Sequence, residues 1–133
     1  MKYMILMYGT QRDYDMMAGR PTEGPVMSPD ELAAMHQYMM DFHEKLEASG
    51  ELVSTGGLTA PAHARRVQLE NGSPVVTDGP YPETQEVLVG FTMVEVTGLD
   101  RATEIAAGLV NPDAQGEYVD IRPVMEGIEE LEF

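Results

Sequence analysis

The stretch Val76-Thr77-Asp78-Gly79-Pro80-Tyr81-Pro82-Glu83-Thr84-Gln85-Glu86 leads into the apolar segment Val87 to Val96, and the rest of the chain is organised around it. Asp before Gly is a turn signal, because Asp bonds its own backbone two residues on and Gly accepts a positive φ. Gly79 and Tyr81 each precede a proline, which pushes both toward extended conformations. The pattern predicts a stiff arm that presents Tyr81 and Glu83 at defined angles. Upstream, Arg65 to Glu70 and Ser73 to Thr77 flank Asn71-Gly72, which reads as a β-hairpin. Downstream, Val87 to Val96 reads as the longest strand, apolar on both faces.

Lys2 to Tyr8 reads as another strand with two apolar faces, Tyr3, Ile5 and Met7 on one and Met4, Leu6 and Tyr8 on the other. Gly9 to Ser28 reads as a loop of about twenty residues, either a surface excursion or a ligand cover. Ser28-Pro29-Asp30-Glu31 is a helix start with a cap, a first-position proline and a capping-box acid. Leu32, Met35, Met39, Phe42 and Leu46 repeat at helical spacing, and Gly50 is the stop. Glu51 to Leu58 reads as a strand broken up by Gly56-Gly57. Asp100 is expected to cap a second helix, Arg101 to Val110, stopped by Asn111-Pro112. Gly116 to Met125 is the last strand, and an acidic tail ends in Phe133.

Without the hairpin this order is strand, helix, strand, strand, helix, strand. It is the split β-α-β pattern of an α+β, ferredoxin-like domain, here with an inserted β-hairpin. Two helices cover one face of a four-stranded sheet. The other apolar face needs a cover, and a second copy of the chain is the simplest one, which predicts a homodimer.

Asp78-Gly79-Pro80-Tyr81 followed by Glu83-Thr84-Gln85-Glu86 resembles the signature of the DGPF-domain group within the YCII-related proteins. The resemblance extends to the opening strand Lys2 to Gly9, to Gly56-Gly57-Leu58, to Gly90-Phe91, and to Ile121-Arg122-Pro123-Val124. The family commonly has Phe at the place of Tyr81 and Lys at the place of Gln85, and the second difference removes a positive charge. The resemblance implies a dimeric α+β barrel in which two sheets close face to face. It also implies either a small-molecule enzyme with a His–Asp acid–base pair, or a non-enzymatic regulatory module associated with alternative sigma factor systems.

At 133 residues one domain, 1–133, is expected. No apolar run approaches a membrane span, and the N-terminal apolar stretch lacks the features of a signal peptide, so the cytoplasm is the default and no membrane partner is expected. The chain has no Cys, which removes disulfides, thiolate ligands and thiol nucleophiles. Eight basic residues stand against 23 acids, for a net charge of -15, so nucleic acid is not an expected partner. No phosphate loop, dinucleotide fingerprint or nucleophile elbow is present, and no cofactor is predicted.

The chemistry-bearing candidates are His43, Asp78 and Glu83, with His36 as the alternative histidine. His36 and His43 both fall within the inward arc of the first helix. They lie ~10 Å apart along its axis, too far to share a metal, and no structural metal is expected. The family's His precedes the helix-ending Gly; counting back from Gly50 lands closest to Met39, about a turn from either histidine. The expected site is a small-molecule pocket between helix and sheet, walled by Met39 and Phe91, with His43 and Asp78 or Glu83 at its polar end. The plainer readings are a hydrogen-bonded, part-buried imidazole and an Asp78 that only forms a turn.

Overall fold

The structure is a computed structural model and describes residues 1–111 and 116–132. The elements are β1 (Lys2–Gly9), α1 (Gln11–Met17), α2 (Pro29–Ser49), β2 (Leu52–Gly57), β3 (Arg65–Glu70), β4 (Ser73–Asp78), β5 (Val87–Glu95), α3 (Leu99–Ala107) and β6 (Val119–Pro123). A four-stranded sheet has the order β2-β5-β1-β6, and β3 and β4 form a separate two-stranded sheet. The α+β, ferredoxin-like class with an inserted hairpin is therefore present. The chain divides into two compact units. The first holds residues 1–7, 36–57 and 90–133, and the second holds 8–35 and 58–89.

The first unit contains the core. Tyr3, Ile5, Leu46, Val94, Val96, Ala102, Ile105 and Ala106 are buried together, and Phe42, Leu52, Leu109, Val119 and Ile121 pack against them. These residues come from one face of the sheet and from α2 and α3. Strand alternation sends Met4, Leu6, Phe91 and Met93 to the opposite face, where they are half-buried. β6 is antiparallel to β1, with Ile5 opposite Ile121, and β2 is antiparallel to β5. Between Leu52 and Ser54 the β2–β5 register shifts by one residue, a bulge at Val53.

The second unit contains the hairpin, whose turn residues Asn71 and Gly72 take φ of 52° and 81°. Both values are positive, as the tight turn that matches the strand twist requires. It also contains α1, inside the stretch that reads as a loop. Thr10 caps α1, accepting from the Asp13 N–H while Asp13 accepts from the Thr10 N–H. Two orphan donors are satisfied by one side-chain exchange, enough to start a seven-residue helix.

α2 begins and ends on the expected devices. Ser28 and Glu31 exchange backbone-to-side-chain bonds of 3.2 and 3.1 Å. At the other end Gly50 takes φ 80°, Glu51 N–H donates to the Leu46 carbonyl, and Gly50 N–H donates to Glu47. α3 departs from expectation. It starts after Gly98 rather than Asp100, with Asp100 in its first turn facing the positive end of the dipole. It ends at Gly108, against which the Phe42 ring packs; a Cβ there would sit 3.1 Å from that ring. The expected Pro112 stop and the terminal Phe133 lie outside the described residues.

A charged clamp joins the start of β2 to α3. Arg101 donates to both Glu51 oxygens at 2.8 Å and to Glu104 at 2.9 Å, and Ser49 Oγ adds a 2.8 Å bond to Glu51. The Arg101 bonds, and then the Ser49 bond, lower the Glu51 carboxyl from 4.5 to about 2. A depressed carboxyl stabilises the fold above its ordinary pKa, and that contribution is lost as the group protonates. Thermal melts should therefore show a loss of stability as pH falls from 4.5 to about 2 that is smaller in Arg101→Gln than in the natural chain. Parallel curves for the two proteins across that window would show that the clamp contributes nothing.

Candidate functional site

The candidate residues fall into both units. In the first, α2 holds His43 half-buried, with the Phe42 ring edge-on to the imidazole at 5.6 Å between centroids. His36, two turns earlier, is exposed. The inward arc expected for both histidines holds only for His43, because the end of the helix nearer Leu46 is the one that meets the core.

His43 Nε2 lies 3.2 Å from Thr55 Oγ1 on β2. Thr55 Oγ1 donates to the Phe91 carbonyl at 3.0 Å and lies 3.4 Å from Thr92 Oγ1, which is fully buried. Thr55 and Thr92 are directly opposed across the β2–β5 pair. Nothing in the residue pattern marks this pair, since threonine in a strand is ordinary. Phe91 does not wall this site. One residue before Thr92, it points to the other face of the sheet, where its ring lies over Gly56; a Cβ on Gly56 would sit 3.0 Å from that ring.

In the second unit the arm after β4 packs against the connection Leu58 to Ala64. Gly79 takes φ 54° and donates its N–H to the Ala64 carbonyl at 2.8 Å. Asp78 accepts from Arg65 Nε at 2.9 Å, across the hairpin from its register partner, and both side chains are exposed. Glu83 is exposed, and its carbonyl accepts from the Arg12 N–H of α1.

Tyr81 is half-buried and forms one wall of a cavity of about 320 Å³, with Leu58, Thr59, Pro61, Ala64 and Val87 among the other walls. The Arg66 guanidinium stands 5.3 Å from the centre of the Tyr81 ring, a cation–π distance. α1 braces the same connection. Tyr14 OH donates to the Leu58 carbonyl at 2.6 Å, and Gln11 accepts from the Ala62 N–H at 2.8 Å. Burial raises the Tyr14 phenol above its ordinary pKa, so it stays a neutral donor. Thr10-x-x-Asp13 is the sequence signal that marks α1 and hence this bracing.

His43 thus lies in one unit, and Asp78 and Glu83 in the other. Among the described residues no three His, Asp or Glu side chains converge as a metal site needs. No helix among them is long and apolar enough to cross a membrane. The sequence model of the YCII-related domain matches residues 1–127. The chain belongs to the YCII-related family. The matched residues include the His43 site and the Tyr81 cavity. The chain is also 30% identical over 80 residues to the uncharacterized protein R00369 of Rhizobium meliloti (strain 1021). That alignment spans 60% of this chain and 64% of the relative, so the chain covers less than two thirds of the relative's length.

The arm of this YCII-related domain depends on Gly79. At φ 54° a β-branched side chain is strained, and a Cβ would sit 3.3 Å from the Ala62 carbonyl oxygen. Gly79→Val should destabilise by more than about 1 kcal/mol, read as a lowered melting temperature. An unchanged melt would mean the backbone relaxes to a negative φ at no cost.

Proposed function

We propose that this YCII-related protein is a small-molecule enzyme in which His43 is the acid–base group. One observation carries the reading: the half-buried His43 imidazole is bonded through Nε2 to an oriented hydroxyl, Thr55. A base must be held in one orientation before it can take a proton from a bound substrate. The Nε2 partner is an uncharged threonine, which orients the ring without a fixed charge. The proposal includes a homodimer formed through the sheet face that carries Met4, Leu6, Phe91 and Met93. These four are half-buried in the single chain, and burying them between copies is favourable at roughly 25 cal/mol per Å².

A second reading is supported by the cavity beside Tyr81. Its volume of about 320 Å³ is in the range of small-molecule pockets, and its walls carry no charged side chain. A protein that binds a neutral ligand there without transforming it is the competing function. Asp78 and Glu83 then shape and flank the arm.

Two measurements test the proposal. Light scattering at micromolar concentration should give twice the 14.6 kDa chain mass, and a monomer would remove the dimer. A small-molecule screen by protein-observed NMR should yield ligands that shift the His43 ring signals and are converted to product. His43→Gln should slow that conversion by about 10²–10⁴-fold, the usual worth of a general acid–base group. Ligands that shift only Tyr81 and its neighbours, with no conversion, would favour the binding protein.

A further inference from the structure

We infer that Thr55 is a positioning residue that holds His43 in a single tautomer, with the proton on Nε2 and the lone pair on Nδ1. The inference deepens the reading of His43 as the acid–base group and, for its catalytic meaning, rests on it. The assignment follows from counting protons. A threonine hydroxyl has one hydrogen to give. Thr55 gives it to the Phe91 carbonyl at 3.0 Å, which can only accept. Its oxygen must then accept from its other neighbours. Thr92 is fully buried, and its hydroxyl needs an acceptor, which Thr55 Oγ1 provides at 3.4 Å. The remaining neighbour is His43 Nε2 at 3.2 Å, which is therefore the donor. In a neutral imidazole with Nε2–H, Nδ1 has the lone pair. Nδ1 is then the nitrogen that accepts a substrate proton.

The backbone explains how Thr55 comes to face His43. Leu52 packs on the core, so it points to the helix side of the sheet. Three residues on, Thr55 would point to the opposite side in a regular strand. The bulge at Val53 adds one residue to β2 between Leu52, opposite Val94, and Ser54, opposite Met93. Thr55 then falls opposite Thr92, on the same side as Leu52 and Val94. Bulges commonly re-aim a side chain in this way beside functional sites. The bulge, the carbonyl of Phe91 and the buried Thr92 together orient the hydroxyl of the exposed Thr55 toward the core side of the sheet.

Long-range ¹H–¹⁵N correlation spectra of histidine-labelled protein, taken where the imidazoles are neutral, read the tautomer directly. His36→Gln, His43→Gln and His63→Gln assign the three rings. His43 should show one protonated Nε2 and one unprotonated Nδ1, while the exposed His36 shows the averaged signals of exchanging tautomers. Thr55→Ser should keep the His43 pattern, since the hydroxyl remains. Thr55→Val should move both His43 nitrogens toward the averaged His36 values. A natural chain with its proton on Nδ1, or with averaged His43 signals, overturns the inference. So does an unchanged pattern in Thr55→Val. Absence of turnover would defeat the enzyme reading and leave these signals as they are; loss of the lock with turnover intact would do the reverse.

Discussion

The first unit depends on the burial of Thr92 and Val94, both at 0% exposure on β5. β5 lies between β2 and β1, so its inward residues meet the helices and cannot reach water. Val94 makes this favourable, and Thr92 makes it conditional. A buried hydroxyl without a partner costs roughly 1–3 kcal/mol, so something opposite it must accept. Across the β2–β5 pair Thr55 is the residue directly opposed, and its Oγ1 lies 3.4 Å from the Thr92 hydroxyl. The requirement of one core hydroxyl therefore fixes the facing of Thr55, and Thr55 in turn meets His43. The site grows out of a packing constraint: Thr55 is itself exposed, and its hydroxyl is tied to the core through Thr92.

Much of the fold is legible in the residues because its devices are local. Ser28 and Glu31 are three apart in sequence, and their exchange needs no distant partner. Asn71-Gly72 and Gly79 carry positive φ because of what those residues are. The apolar faces of β1 and β5 are visible as runs. Thr10 and Asp13 belong to the same local class, yet the short helix they start has no apolar stripe to draw attention to it. The Val53 bulge belongs to another class. Nothing in Glu51 to Leu58 announces an extra residue, because a bulge is a relation between β2 and its partner. Regular alternation would have put Thr55 on the side away from Leu52. For the same reason Phe91 reads as a pocket wall beside His43, whereas its ring covers Gly56 on the opposite face.

A carboxylate was the expected partner of His43, and the chemical difference made by a hydroxyl is specific. A carboxylate does two things for an imidazole: it fixes the tautomer, and it offsets the charge of the imidazolium. Thr55 does only the first. In a chain of net charge -15 an extra buried carboxylate would add to self-repulsion and would need its own desolvation offset. The hydroxyl avoids both costs. Charge compensation then falls to whatever meets the exposed part of the ring, whether water or a bound molecule. Asp78 shows the converse arrangement: its charge is offset by Arg65 in the open, where the pair closes the hairpin and leaves the arm beyond Gly79 free to line the Tyr81 cavity.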